Sequence, residues 1–182
     1  YFSVISVYEK EYLSNFMDSE KIKLEQGRKH FDDWKPIDKT EARNKLGINP
    51  NKKVIIYIGY YYPLKGVDVL LYAFKELKRM YDVELIMIGG KPSDPLYHLV
   101  IESGAIEFGR VPNNELTLFL SASDVYCASV FEGTWIKFGG TSTAIIEALA
   151  CNVPVVSNQL IHFPTDEWKK VGEIPKNGED VI

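Results

Sequence analysis

The chain has 182 residues, a formal net charge of −4, 46% hydrophobic and 25% charged residues, which is enough apolar material for one sizeable core. Its Lys and Arg residues are scattered and no apolar run reaches the roughly 18 residues that a membrane span needs, so neither a nucleic-acid footprint, a polybasic membrane patch nor a spanning helix is expected. Cys127 and Cys151 lie in apolar runs, which fits free thiols in a reducing cytoplasm rather than a disulfide framework.

Residues 1–36 hold a strand-like run, YFSVISV, a polar helix around Glu9 to Phe16, and a loop of mixed charge, QGRKHFDDWKP. They read as a lead-in from something upstream. From residue 52 the pattern becomes regular. KKVIIYIG is a continuous β-branched run ending at Gly59, as a strand buried on both faces would be. In KGVDVLLYAFKELKRMY, Val67, Leu70, Leu71, Phe74 and Leu77 recur at helical spacing. There follow VELIMIGG (strand), DPLYHLVIESG (helix with a glycine stop), AIEFG (short strand), NNELTLFLSAS (helix capped by Asn113 or Asn114), DVYCAS (strand), a helix after FGGTST, and VPVVS (strand). Such alternation predicts parallel strands joined by right-handed crossovers: an α/β fold with a Rossmann-like, doubly wound parallel sheet whose ligands sit at the carboxyl ends of the strands. The chain stops at KNGEDVI, where Asp180 resembles the start of a helix, so a domain truncated at its C-terminal end is expected.

Three features point to chemistry. In FGGTST, Gly139 and Gly140 let backbone N–H groups approach a ligand, Thr141 or Ser142 can cap the next helix, Thr143 follows, and a helix N-terminus favours an anion. An ordinary glycine loop with a cap is the plainer alternative. On that helix Glu147 is the only formally charged side chain between Lys137 and Asp166. The periodicity puts it opposite Ile145, Ile146 and Leu149 and beside Ala144, Ala148 and Cys151, small neighbours that leave room for a ligand. A solvated surface glutamate is the alternative. Lys65, in GYYYPLKGVD, stands at the opening of a helix, where the macrodipole disfavours a cation unless an anion is also present. A solvated lysine in a polar loop is the alternative there. Neither this turn nor GGKPSDP has the G-x-G-x-x-G spacing of a dinucleotide site. His30, His98 and His162 are too far apart in sequence to argue a metal site, and neither cysteine has a convincing His and Asp partner.

Taken as an ordered set, YIGYYYPLKGVDVLLYAF, VELIMIGG, IEFGRVPNNELTLFLSASDVYCAS and GTSTAIIEALACNVPVVS resemble the carboxy-terminal, nucleotide-sugar-binding half of the GT-B retaining glycosyltransferases (glycosyl transferases group 1, family-4 type). KIKLEQGRKHFDDWKPIDKTEARNKLGI is similar to that family's interdomain linker and the helix after it, so residues 1–44 are expected to be a lead-in with a linker helix and 45–182 the Rossmann-like binding domain.

The resemblance implies an enzyme that moves a sugar from a UDP-, GDP- or ADP-sugar to an acceptor with retention, needing no metal or other cofactor. It also implies an upstream acceptor-binding domain and a cytoplasmic location, with the full-length protein peripheral to the inner face of the membrane. Lys65 matches the lysine that contacts the donor diphosphate and stabilises charge on it as the glycosidic bond breaks. Gly59 ends the first strand beside it. Gly140 and Thr141 match the loop that offers N–H groups to the same diphosphate, and Arg110 with Val111 lies where the base is held. Glu147 matches the second of two donor-site glutamates, which accepts from the ribose hydroxyls. Two positions depart from the family. Tyr60 stands where arginine is usual, and the first glutamate, eight positions before the second, falls on Gly139; Glu132, across an apparent insertion, is the candidate replacement. A nucleotide-sugar-binding module without transfer activity and a GT-B sugar-nucleotide epimerase are the competing functional readings.

Overall fold

The computed structural model describes residues 1–4, 7–24, 34–128 and 142–157. Five parallel strands form the main sheet: β3 (Lys53–Ile58), β4 (Val83–Ile88), β5 (Ile106–Glu107), β6 (Val125–Ala128) and β7 (Val155–Ser157). Their order is β5-β4-β3-β6-β7, with β3 central, so the sheet is wound outward from β3 in both directions. That is the doubly wound α/β topology expected from the alternation of strand and helix.

Alternation along β3 decides what covers each face. Ile55 and Tyr57 pack with Val67, Leu70, Leu71 and Phe74 of helix α3 (Val67–Met80) and Val100 of α4 (Tyr97–Glu102). Val54 and Ile56 face the other way, into a second cluster with Ala42 of α2 (Lys39–Leu46), Leu116, Phe119 and Leu120 of α5 (Leu116–Ala122), and Ile145 and Ala148 of α6 (Thr143–Ala150). The crossovers before and after β4 thus lie on one face and those flanking β6 on the other. The direction of winding reverses between β3 and β6, which opens a crevice outside their carboxyl ends.

The N-terminal region adds a parallel pair, β1 (Phe2–Val4) and β2 (Ile22–Leu24), connected through α1 (Val7–Ser14). The sequence pattern shows β1 and α1 but not β2, because β1 lies in the apolar run YFSVISV whereas β2 is embedded in the charged stretch SEKIKLEQGRK. Trp34, Ile37 and Ala42 belong to the α5–α6 side of the core.

A buried charge locks α2 in place. Arg43 is 5% exposed; Nε donates to the Ala122 carbonyl (2.9 Å), Nη1 to that of Pro50 (2.7 Å) and Nη2 to Asp124 Oδ2 (2.8 Å). The same carboxylate oxygen accepts from the Val54 amide, and Lys39 reaches Oδ1 at 2.9 Å. The carboxylate therefore joins α2 to the starts of β3 and β6. Burial pushes the Asp124 pKa up, but the hydrogen bonds from Lys39 and Val54 and the charges of Lys39 and Arg43 outweigh it, and the pKa lies below the ordinary 3.8.

Two caps differ from expectation. Asn113 and Asn114 lie within a short 3-10 turn, Asn113–Glu115, that leads into α5, and neither caps the helix with its side chain. Pro112 supplies the turn's first carbonyl, accepting from Glu115 N–H, which pulls both asparagines inside. Ser142 does occupy the position before α6 but makes no side-chain cap bond.

A folded-state pKa depressed below its unfolded value stabilises the native state above the unfolded pKa, and that stability is lost as pH falls through the folded value. Asp124 is therefore expected to contribute above about pH 4, with the contribution disappearing on further acidification. Arg43→Ala is expected to cost about 2 to 4 kcal/mol, from the loss of several charge-assisted hydrogen bonds at a buried site. Urea unfolding across pH checks both: a variant as stable as the parent, or one with the same acid sensitivity, contradicts the assignment.

A candidate donor-binding site at the carboxyl edge of the sheet

Strands β3 and β4 are each followed by a glycine, and the backbone there converges with the segment after β5. Gly59 N–H donates to Ile88 O at 2.8 Å and Gly89 N–H to Gly109 O at 2.7 Å. Above this junction lies an open cleft of about 300 Å³, lined by Gly59, Tyr60, Gly89, Arg110, Val111 and Leu116 with the ends of β3 and β4, Ile58 and Ile88. Its walls are apolar, its floor is close-approaching backbone, and Arg110 is its cation. Such a cleft can take the face of a flat ring against Val111 and Leu116 while a charged group meets the guanidinium.

A buried network positions this edge. Tyr61 is fully buried; its N–H donates to Asp94 Oδ2 (3.1 Å) and its hydroxyl to Glu107 Oε1 (3.2 Å). Burial first, and the Glu107 carboxylate second, push the Tyr61 phenol well up, so it remains a donor at neutral pH. Glu107 Oε1 also accepts from Gly109 N–H at 2.7 Å, which fixes the turn that presents Arg110. The Tyr61 ring stacks on Tyr97 with centroids 6.1 Å apart. Gly90 allows this packing, since a Cβ there would lie 2.0 Å from the Tyr61 ring.

Of the residues singled out in the sequence, Gly59, Tyr60, Arg110 and Val111 come together in the cleft. Lys65 ends a 3-10 turn, Pro63–Lys65, and Gly66 (φ 61°) turns the chain into α3 through a left-handed conformation that favours glycine. Lys65 is half-buried, and desolvation lowers its pKa below 10.5. It is not part of the cleft lining.

On α6, Ser142 and Thr143 stand at the first turn. The Ser142 side chain lies in hydrogen-bonding reach of the Tyr126 hydroxyl, which itself contacts the Ile58 carbonyl at 3.5 Å. The start of α6 is thereby tied to the end of β3 beside the cleft. Glu147 differs from expectation. It is 4% exposed, and the side of α6 bearing Ala144, Glu147, Ala148 and Cys151 is buried, while Ile146 and Leu149 are only partly so. The small neighbours let α6 approach the core closely, which buries the carboxylate with them. Glu132, Gly139, Gly140 and Thr141 lie outside the described residues. Cys151 is buried and Cys127 half-buried; burial pushes the Cys127 thiol up to about 12 and raises that of Cys151, so neither is a ready thiolate. Among the described residues no helix is long and apolar enough to cross a membrane.

Ile88, Gly89, Leu116 and Glu107 were missed in the sequence. Gly89 carried a signal, since it ends its strand as Gly59 does. Glu107 carried a fainter one, as the single charged residue of AIEFG.

The family model described as glycosyl transferases group 1 matches residues 38–170. This chain is a member of that family. A curated relative, D-inositol 3-phosphate glycosyltransferase of Segniliparus rotundus, is 30% identical over 140 residues, covering 72% of this chain and 30% of that protein. The chain spans about a third of the length of the curated relatives it matches. In fold, this group 1 domain is similar to sucrose-phosphate synthase of Thermosynechococcus elongatus, with a TM-score of 0.75 at 18% identity over 98% of this chain and 46% of that one. It is similar also to the Anabaena protein HepE, solved in complex with UDP-glucose, with a TM-score of 0.68 at 18% identity over 85% of this chain and 43% of that one. The group 1 domain is thus the Rossmann-like half of a GT-B architecture.

Gly90→Ala is expected to destabilise this domain by about 1 to 3 kcal/mol, because the added methyl displaces a packed ring that has no free volume to enter. Equilibrium unfolding measures it, and a Gly90→Ala variant of unchanged stability refutes the packing role of Gly90.

Proposed function

We propose that this chain is the donor-binding half of a retaining glycosyltransferase, which binds a nucleoside diphosphate sugar and transfers the sugar to an acceptor held by an upstream domain. The observation that carries the proposal is the cleft at the carboxyl edge of a group 1 domain, where apolar walls and Arg110 converge beside the turn that leads to Lys65. HepE, of similar fold, is solved in complex with UDP-glucose, which supports a nucleotide-sugar donor for this domain.

In this reading Val111 and Leu116 flank the base, Glu147 accepts from the ribose hydroxyls, and the diphosphate meets the N–H groups of Ser142 and Thr143 at the start of α6, with the preceding glycine loop, Gly139 to Thr141, assigned to the same role by the family resemblance alone. The bond between the anomeric carbon and the diphosphate oxygen breaks, the acceptor oxygen bonds to that carbon on the same face, and the acceptor hydroxyl gives its proton to the departing diphosphate oxygen. Negative charge grows on the leaving diphosphate. Lys65 balances it, and a half-buried ammonium does so more strongly than a hydrated one. With cations and amides in that role, the site requires no metal. The enzyme acts in the cytoplasm, with acceptors at the membrane surface reached by the full-length protein.

Tyr60 and Gly139, standing where the family has arginine and glutamate, favour a second reading in which the domain binds a nucleotide sugar without transferring it. Sugar transfer by the full-length protein decides between the two: sustained turnover supports the enzyme, and tight binding with no turnover supports the module.

Calorimetry of the chain with UDP, GDP and ADP is expected to show one preferred nucleotide, and Lys65→Ala to reduce its affinity at least about tenfold, the scale of a lost charge-assisted contact. Because an anion binds the protonated amine, affinity holds below the pKa of Lys65 and falls as pH rises through it, so the decline begins below pH 10.5. Unchanged affinity in Lys65→Ala removes the mechanism. Glu147→Gln is expected to weaken the ribonucleotide by about 1.5 to 3 kcal/mol with cooperative unfolding preserved; loss of folding with unchanged affinity in the folded fraction makes the carboxylate structural.

A further inference from the structure

Arg110 enters the cleft from a turn fifty residues downstream of Tyr60, and the two side chains meet. Arg110 Nη2 donates to Tyr60 Oη at 3.2 Å, and the guanidinium carbon lies 5.6 Å from the centroid of the Tyr60 ring. Tyr60 is itself braced: Tyr62 meets its ring edge-on at 6.2 Å, and its carbonyl accepts from Tyr57 Oη at 3.0 Å. At its other end Arg110 follows Gly109, whose N–H is held by Glu107 and whose carbonyl is held by Gly89. The cation is therefore fixed at both backbone and tip.

Among the described residues no carboxylate pairs with Arg110. A tyrosine ring and hydroxyl orient a guanidinium but do not neutralise it, and the planar fork keeps further N–H donors in hand. An oriented cation that faces a cleft and has no carboxylate partner among the described residues is a binding group for an anion. Tyr60 would otherwise be a puzzle at this turn, since it brings neither charge nor fork where arginine is usual.

We propose that Arg110 supplies across space the positive charge that the turn after β3 lacks at position 60, binding the donor diphosphate together with Lys65, and that Tyr60 is the positioning residue that holds it there. This rests on the reading of the cleft as a nucleoside diphosphate site. It moves Arg110 from the base to the phosphates and leaves the base to the apolar wall.

The test uses this chain, the tightest binder among UDP, GDP and ADP, and the matching nucleoside measured by competition. Arg110→Gln is expected to weaken the diphosphate by about tenfold or more while the nucleoside changes less than about twofold, the contrast between losing a charged contact and keeping an apolar one. Tyr60→Ala is expected to weaken the diphosphate about threefold, in line with an exposed cation–π contact, and to have no further effect in the Arg110→Gln background. Adding Tyr60→Arg to Arg110→Gln is expected to restore most of the lost affinity. Both side chains are exposed, so the variants should melt as the parent does.

An equal loss for nucleoside and diphosphate in Arg110→Gln puts the arginine on the base and overturns the proposal while the site remains a nucleotide site. Unchanged diphosphate affinity overturns it in the same way. Additive effects of Tyr60→Ala and Arg110→Gln overturn the positioning role. A parent chain that binds none of the three diphosphates overturns the functional reading and this inference with it.

Discussion

The structure depends on a central strand with no polar face. Val54, Ile55, Ile56 and Tyr57 of β3 are each 7% exposed or less, so the sheet must be covered on both sides. Burying a side chain of this size is worth about 1.5 to 3 kcal/mol, and a strand that contributes on both faces ties two otherwise separate clusters into one unit. The helices follow from this demand. The pair α3 and α4 closes one face while α2, α5 and α6 close the other, and the edge left free of helix packing is where the strands end. The cleft opens at that edge, which the burial of both faces leaves uncovered.

At the free edge the chain shifts from apolar packing to hydrogen bonds. Gly59, Gly89 and Gly109 bring three backbone segments within bonding distance, and Glu107 gathers the Tyr61 hydroxyl and the Gly109 amide into one carboxylate. Tyr61 links this network to the core, being buried against Gly90 and Tyr97 and held through its amide by Asp94. A cleft built this way is preorganised. The backbone that carries its lining residues is held by side chains behind it, Tyr61, Asp94 and Glu107.

The α6 helix shows the same coupling from the other side of the sheet. Ser142 turns from capping toward Tyr126, whose hydroxyl sits under the end of β3. Glu147 lies buried among alanines on the face that packs inward. A carboxylate in such surroundings is costly unless it has partners, and Glu147 is not without one in the chain.

The sequence by itself determined the alternation of strands and helices, the two-faced burial of β3, the amphipathic α3 and the family, because each is written in local periodicity or in ordered motifs. It also marked Gly59, Tyr60, Arg110 and Val111 as site candidates, and these do line one cleft. The tertiary structure alone decided which residues meet. That Arg110 lies on Tyr60, that Glu107 holds Gly109 and Tyr61 together, and that Glu147 is buried along with Ile145 all depend on strand order and register. Those are set by the packing of the whole sheet. A residue fifty positions away leaves no trace in local periodicity, so its charge becomes part of the site only when parallel strands bring their ends together.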